Sequence, residues 1–148
     1  MATSDSPALV DTNVLVYALL PDVPEHAASR ALLDRAQNGD AALCVTPQVF
    51  AEFYAVVTDS RRVTVPRQPA EALDAIRQYL ALPGLRLLPV PEDVVTRWVK
   101  MVEDHPVTRG AVFDRQLAAT MLGNGVTRIY TYNRPDFEVL EGIEALTP

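Results

Sequence analysis

Short apolar runs alternate along the chain with longer segments in which apolar residues recur at helical spacing. Four runs predict strands, and Ile143–Leu146 predicts one more at the edge of a sheet. Because parallel neighbours need long crossover connections, strands separated by helical segments predict an α/β fold, with a central parallel sheet and helices on both faces. The four runs are Ala8–Val10, Ala42–Val45, Leu85–Val90 and Thr127–Tyr132.

Capping residues and helical spacing define the predicted helices. Thr46 has the chemistry of an N-cap, and a proline follows it at the first helical position. In the fourth helix, one apolar face is predicted to carry Ala72, Leu73, Ile76 and Leu80. The predicted helices are Val14–Leu20, Glu25–Asn38, Pro47–Asp59, Pro69–Leu80, Glu92–Glu103 and Phe113–Leu122.

Length and composition indicate how many domains the chain forms and in which compartment it works. The chain has 148 residues, 49% of them hydrophobic, and we predict one domain over residues 8–148 after a flexible segment over residues 1–7. No apolar run is long enough to cross a bilayer and no secretory signal is recognisable, so we expect a cytoplasmic protein without a membrane partner. Cys44 is the only cysteine, which excludes an internal disulfide, and its apolar neighbours predict that it is buried.

The charge of the chain limits the ways in which it could bind nucleic acid. A net charge of −6 and a pI of about 4.8 argue against a broad basic binding surface. Positive charge is concentrated instead in the loop Ser60–Gln68, which carries Arg61, Arg62 and Arg67. The planar guanidinium of arginine suits phosphate, although a solvated loop is the more ordinary explanation of three arginines.

Polar and acidic residues follow two of the predicted strands. Asp11 comes directly after the first strand, and Asn133 and Asp136 come after the strand that ends at Tyr132. Sheets of this kind place their sites at the carboxyl ends of strands, which makes these residues candidates for a site. An aspartate at position 11 would also cap the following helix, so both roles stay open.

Two further carboxylates interrupt apolar helix faces. Glu52 projects only about 40° from Val56 around the helix axis, so it flanks the buried stripe. Asp114 has Leu117 and Ala118 at the i+3 and i+4 positions and lies within the apolar face of its helix. Alternatives remain open for both: Glu52 could reach solvent or pair with an arginine, and Asp114 could cap its helix.

Several carboxylates directed inward in one small domain would repel one another unless a cation compensates them. Oxygen ligands of this kind favour Mg²⁺ or Mn²⁺ over zinc. The two histidines, His26 and His105, each lie in a segment that contains a proline and are interpreted as ordinary surface residues. The acids therefore predict a divalent-cation site.

Four segments resemble, in order, the signature segments of PIN-domain proteins, with the nearest likeness to toxins of the VapC type. They are Val10–Leu15, Phe50–Phe53, Phe113–Ala119 and Tyr130–Phe137, and the likeness extends from about Ala8 to Pro148. The resemblance implies a three-layer PIN fold and a Mg²⁺- or Mn²⁺-dependent endoribonuclease acting on RNA. It also implies an inhibiting VapB-like antitoxin and a homodimer.

Residue roles carry over from the same resemblance. Asp11 and Asp114 would be the principal metal ligands, and Glu52 a further ligand or a group that orients water. Many relatives have Asp where this chain has Asn133, so Asp136 would supply the fourth carboxylate, with Asn133 bonding substrate or water. Arg109 and Arg115 border the proposed site and either contact the RNA backbone or are solvated, the second being the more ordinary case.

Two rival functions share this fold. One is a metal-binding interaction module that acts through its partner with little turnover. The other is a DNA-directed nuclease, since flap endonucleases are similar in fold, although those enzymes carry extra elements that grip DNA and that are not recognisable here. Cleavage assays with RNA and DNA distinguish all three.

Overall fold

Five parallel strands form the centre of the molecule, in the order β3-β2-β1-β4-β5. The structure, a computed structural model, describes residues 6–148; most of the predicted flexible segment over residues 1–7 lies outside them. The elements are β1 (Ala8–Val10), α1 (Thr12–Leu19), α2 (His26–Gln37), β2 (Leu43–Val45), α3 (Pro47–Val57), α4 (Pro69–Leu80), β3 (Leu85–Leu87), α5 (Val94–Asp104), α6 (Ala111–Gly123), β4 (Arg128–Tyr130), α7 (Arg134–Glu138) and β5 (Glu144–Leu146).

The order of the strands explains where the helices lie. The chain first moves outward from β1 to β2 and β3, and then returns to place β4 and β5 on the other side of β1. Right-handed crossovers in opposite directions put α1 to α4 on one face and α5 to α7 on the other. The α/β fold with a parallel sheet is therefore confirmed, and β1 is its central strand.

The strands β1 and β2 are buried throughout, and β4 is buried at Ile129 and half-buried at its two ends. Leu9 of β1 is in register with Cys44 of β2 and Ile129 of β4, and all three side chains are inaccessible to solvent. Continuous apolar runs are typical of strands covered by helices on both sides. The predicted burial of Cys44 is confirmed, and burial raises the pKa of its thiol to about 12, which leaves it protonated and unreactive.

Most predicted elements are present with ends shifted by one to three residues, as is usual for fraying termini. Thr46 caps α3 as predicted, its hydroxyl accepting a 3.3 Å hydrogen bond from the Val49 amide. The helix α7 was not predicted, because five residues are too few to show helical periodicity. No helix among residues 6–148 has the length and apolar character needed to cross a bilayer.

The predicted apolar face of α4 is partly wrong. Leu73 and Leu80 are 42% and 45% exposed, and the buried positions belong to Ala72, Ala75 and Tyr79. The Tyr79 ring packs edge-on against a phenylalanine of α3, and its hydroxyl donates a 2.9 Å hydrogen bond to a backbone carbonyl of α1. A tyrosine whose hydroxyl has a hydrogen-bond partner can be buried at little cost. With Tyr79 on the buried face of α4, Leu73 and Leu80 lie on its exposed side.

Candidate functional site

A cleft of about 670 Å³ opens at the carboxyl ends of the central strands. Three of the predicted carboxylates, Asp11, Glu52 and Asp114, lie on its wall together with Asn133. They come from the ends of β1 and β4 and from α3 and α6, so the cleft brings together residues from four distant parts of the chain. The rest of the wall comes mainly from α1 and from the loop between α3 and α4.

Asp11 is both the cap of a helix and part of the cleft wall. It is the N-cap of α1, accepting a 2.7 Å hydrogen bond from the Thr12 amide through one oxygen, and its other oxygen accepts a 2.7 Å bond from the Thr131 hydroxyl. Burial raises the pKa of Asp11, which those two hydrogen bonds lower and the charges of Glu52 and Asp136 raise further. The two roles left open by the sequence therefore coexist.

Glu52 is half-buried and is held by neutral donors. One carboxylate oxygen accepts a 3.0 Å hydrogen bond from the Thr12 hydroxyl, and the other accepts a 2.9 Å bond from the side-chain amide of Gln48. The same amide nitrogen donates to the backbone carbonyl of Phe113, also at 2.9 Å. In the described part of the chain, no arginine pairs with the Glu52 carboxylate at the cleft.

Asp114 lies in the first turn of α6 and has a strongly perturbed carboxylate. Burial, followed by the charges of Asp11, Asp136 and Glu52, raises its pKa to about 7, against a small opposite effect of Arg115. The four carboxylates therefore lie within electrostatic range of one another. Perturbed acids in a cleft are typical of functional sites, and this group is the strongest candidate in the described chain.

The two candidate residues of the last signature segment, Tyr130–Phe137, lie in different places. Asn133 lies on the cleft wall, whereas Asp136 is exposed in the first turn of α7 and does not line it. The charge of Asp136 nevertheless acts on both Asp11 and Asp114. The two residues thus occupy different places, Asn133 in the cleft and Asp136 behind its edge as a source of negative charge.

Arg115 differs from both expectations for it, since it is neither solvated nor free to contact RNA. Only 5% of its surface is exposed, and its guanidinium donates a 2.8 Å hydrogen bond to the backbone carbonyl of Asp136. Its Nε is buried without a hydrogen-bond partner in the described part of the chain. Arg115 thus ties α7 to α6 beneath the acids, whereas Arg109 is exposed.

The acids fit a hydrated divalent cation better than a fully protein-bound one. Within residues 6–148, no three of the carboxylates converge closely enough to form a metal centre by themselves. Mg²⁺ commonly retains several waters and takes only one or two carboxylates from the protein. Asp11 and Asp114, whose pKa values are raised by burial and by neighbouring negative charge, are the pair whose charges such a cation would relieve.

Sequence reasoning missed the neutral residues that hold the acids. Thr131 is inaccessible to solvent at the end of β4, and Gln48 lies one turn before Glu52. A polar residue at the end of a buried strand was a usable signal for Thr131. Nothing in the sequence indicated Gln48, because its second partner, Phe113, lies 65 positions away in the chain.

Comparison with known proteins agrees with the four signature segments. Residues 8–142 match the PIN domain family. A VapC ribonuclease of Mycobacterium bovis is 37% identical over 118 residues, which cover 80% of each chain. The confirmed likeness therefore extends over most of the chain and is not confined to the short motifs.

Solved structures show the same fold at lower identity. The Mycobacterium tuberculosis toxin VapC20, described as cleaving the sarcin–ricin loop, superposes with a TM-score of 0.71 at 17% identity, covering 97% of this chain and 100% of that one. VapBC2 of Rickettsia felis, bound to a DNA fragment from its promoter, gives 0.67 at 15% identity, covering 95% and 98%. The chain therefore belongs to the PIN-domain family, among relatives that are VapC ribonucleases.

Proposed function

We propose that this protein is a Mg²⁺- or Mn²⁺-dependent endoribonuclease, the toxin of a VapBC-type toxin–antitoxin pair. The observation that carries the proposal is the gathering of Asp11, Glu52 and Asp114 on the wall of one cleft, where burial and neighbouring negative charge raise the pKa of Asp114 to about 7. Such an accumulation of charge is unfavourable in the free protein, and a cation would stabilise it. The identity to a VapC ribonuclease supports RNA as the substrate.

Asp11 and Asp114 would hold the cation. When bound there, a divalent ion supplies Lewis-acid stabilisation of a phosphate oxygen and a lower pKa for a coordinated water. The protein's own part is to orient Asp11 and to oppose the effect of burial on its pKa, which the Thr131 hydroxyl and the Thr12 amide do through two short hydrogen bonds. Both donors favour the charged carboxylate, and thus favour metal binding.

Glu52 would orient the attacking water. Thr12 and Gln48 fix the plane of its carboxylate, and its partial exposure leaves room for a further hydrogen bond from a water in the cleft. Asn133 would bond substrate or a bound water, since its side chain lies on the cleft wall and carries both a donor and an acceptor. Asp136 would add negative charge that attracts the cation without contacting the substrate.

The partners proposed are a VapB-like antitoxin that inhibits the enzyme and a second copy of the chain. The similar solved structures include a toxin–antitoxin complex, which supports the first partner. Val95 and Val99 on α5 are 66% and 43% exposed, and an apolar surface of this kind supports an interface between copies. We place the reaction in the cytoplasm, where structured RNA is available.

The test is cleavage of structured RNA by the purified protein with Mg²⁺, beside Asp11→Asn and Asp114→Asn. We expect cleavage by the wild type, a loss of at least about 100-fold in each variant, and complete inhibition by excess EDTA. Equal cleavage by wild type and variants, or cleavage that survives EDTA, contradicts the metal-dependent mechanism. DNA of the same sequence serves as the parallel substrate, and preferred cleavage of DNA would favour the DNA-directed rival.

The toxin assignment has its own test in cells. Induced expression should arrest growth, and co-expression of the neighbouring small protein should relieve the arrest. Normal growth at high levels of soluble protein would contradict the toxin assignment. A cleavage-deficient Asp114→Asn chain that still arrests growth would favour the interaction module.

A further inference from the structure

The loop between α3 and α4 brings two of its three arginines to the cleft. Arg62 and Arg67 line the same cleft as the three acids of the site, whereas Arg61 does not. Within the described part of the wall, these two are the only basic side chains. The sequence left open whether the loop arginines bind phosphate or are merely solvated. The structure separates Arg62 and Arg67, which line the cleft, from Arg61, which lies outside it.

The loop is held in place by its own backbone. The carbonyl of Asp59 accepts hydrogen bonds from the amides of Arg62 and Val63, at 3.0 and 3.1 Å, and the Arg67 amide donates a 2.7 Å bond to the carbonyl of Val57. The Val63 side chain is 8% exposed and anchors the loop to the protein. The two arginines are therefore presented from an ordered segment, which lowers the entropic cost of binding a ligand.

Charge pairing distinguishes the three arginines further. The guanidinium of Arg61 donates to both carboxylate oxygens of Asp59, at 3.1 and 3.2 Å, and this contact lowers the pKa of Asp59. Arg62 adds a weaker electrostatic effect on the same carboxylate, and the guanidinium of Arg67 donates a hydrogen bond to the Val65 carbonyl. Neither Arg62 nor Arg67 forms an ion pair within residues 6–148. Their charges remain available to an anion.

The cleft thus has an acidic end and a basic part. From Glu52 to the end of α3 is about 8 Å along the helix, at about 1.5 Å per residue, and the arginine loop follows. The arginine loop begins beyond the end of the helix that carries Glu52, and its two arginines on the wall can contact a neighbouring phosphate of the same strand. Asp22, exposed on the wall after α1, is the remaining carboxylate of the cleft.

We propose that Arg62 and Arg67 form a subsite for the RNA backbone, holding phosphates that flank the one to be cleaved. The inference rests on the proposed ribonuclease function and specifies how its substrate is held. It also explains how a chain with a net charge of −6 can bind a polyanion, because cation-binding acids and two unpaired arginines share one cleft. Such a subsite contacts the phosphates of the RNA backbone and does not discriminate among bases.

Binding of a labelled single-stranded RNA tests the subsite directly. It is measured against KCl concentration, with Mg²⁺ present, in a cleavage-deficient Asp114→Asn background. Adding Arg62→Ala or Arg67→Ala should weaken RNA binding severalfold. Each substitution should also reduce the slope of the logarithm of the binding constant against the logarithm of the KCl concentration by about 0.7, because one contact with an RNA phosphate is lost. Arg61→Ala is the matched control: it removes the same charge from the same loop and should leave affinity and slope unchanged.

Cleavage kinetics give the second measurement. In the otherwise wild-type chain, Arg62→Ala with Arg67→Ala should raise KM and leave kcat nearly unchanged, because a backbone contact binds ground state and transition state alike. Circular dichroism verifies that each variant is folded, and Arg67→Gln replaces Arg67→Ala if that variant is not.

Three results would overturn the subsite. One is equal affinity and salt slope for the Arg61, Arg62 and Arg67 variants, and another is a fall in kcat without a change in KM. The third is weakened binding of the inhibiting partner protein with RNA binding unchanged, which would assign the arginines to that protein. A wild type that binds RNA with the expected salt slopes but never cleaves it would contradict the proposed enzyme and leave the subsite standing, so the two failures are distinguishable.

Discussion

Gln48 and Glu52 lie one turn apart on α3, and the amide nitrogen of Gln48 donates a 2.9 Å hydrogen bond to the Glu52 carboxylate. The same nitrogen reaches the backbone carbonyl of Phe113, the residue before Asp114. The amide oxygen of Gln48 is buried with no hydrogen-bond partner within residues 6–148. Gln48 therefore connects the two helices that carry Glu52 and Asp114, at the cost of one unsatisfied oxygen.

Replacing this amide should separate activity from stability. Gln48→Met keeps the shape of the side chain and removes both the hydrogen bonds and the unsatisfied oxygen. We expect kcat for RNA cleavage to fall about 10- to 100-fold, as for other residues that orient catalytic carboxylates, with the midpoint of urea unfolding unchanged or higher.

Gln78→Met, at an exposed position of α4, is the matched control and should change neither quantity. If Gln48→Met lowers stability and activity together, Gln48 has a structural role only. An unchanged kcat would remove Gln48 from the positioning of Glu52 altogether.

The raised pKa of Asp114 predicts an unusual dependence of stability on pH. Between the ordinary value of 3.8 and the folded value of about 7, the folded protein binds a proton that the unfolded chain has released. Without metal, the free energy of unfolding should therefore fall as pH rises through this window. Asp114→Asn should reduce that slope, with the remaining part left to Asp11, whose pKa is also raised.

Metal should reverse this effect, because Mg²⁺ binds the ionised form. Thermal unfolding in EDTA and in Mg²⁺ is compared from about pH 5 to about pH 8, with the largest stabilisation by Mg²⁺ expected above pH 7. Stability that rises with pH in EDTA would contradict the raised pKa. Mg²⁺ stabilisation that does not depend on pH would mean that Asp114 is not a ligand.

Much of the fold could be predicted because burial leaves a strong pattern in the sequence. The central strands are continuous apolar runs, and Thr46 begins α3 as an N-cap should. The face of α4 could not be predicted, since a choice between Tyr79 and Leu80 as the buried residue depends on a hydrogen bond to α1. Hydrophobicity alone favours burial of Leu80, whereas the tertiary contacts of Tyr79 place the tyrosine in the core.

Thr131 should stabilise the ionised form of Asp11. Thr131→Val keeps the volume of this buried side chain but removes the 2.7 Å hydrogen bond to Asp11 and the 3.0 Å bond accepted from the Asn133 amide. We expect a loss of about 1–3 kcal/mol in the free energy of unfolding, measured in urea. The pKa of Asp11 should rise further, so the same Mg²⁺ affinity would require a higher pH.

Thr131→Ser is the control, because serine retains the hydroxyl. It should keep the pH dependence of Mg²⁺ binding even if the missing methyl group lowers stability. The hydrogen bond would have no role in metal binding if valine and serine shifted that pH dependence equally.

Gly84 should tolerate no side chain. A Cβ there would overlap the backbone carbonyl of Ala41 and lie 2.7 Å from that of Ala36, where α2, β2 and β3 meet. Backbone atoms cannot move aside as a flexible side chain can, so Gly84→Ala should destabilise the protein by at least about 2 kcal/mol. Gly110→Ala, with nothing within 4 Å and an ordinary helical φ, should be tolerated. Equal unfolding midpoints for the two variants would refute this packing.

The candidate site was predictable only in its charged members. Glu52 and Asp114 were predictable because they interrupt apolar helix faces, and Asp11 because it directly follows a strand. Gln48 breaks no such pattern, and the burial of Arg115 depends on α7, a helix too short to predict. Neutral residues that orient charged ones become visible only when segments distant in sequence are brought together.

The hydrogen bond between Thr131 and Asp11 joins residues 120 positions apart, across the pairing of β1 with β4. During synthesis Asp11 leaves the ribosome long before Thr131, and the contact cannot form until β4 has followed. The acidic cleft is therefore incomplete while only the segments from β1 to α6 have been made. The order of strands in the sheet thus makes the assembly of the site depend on a late pairing of β4 with β1.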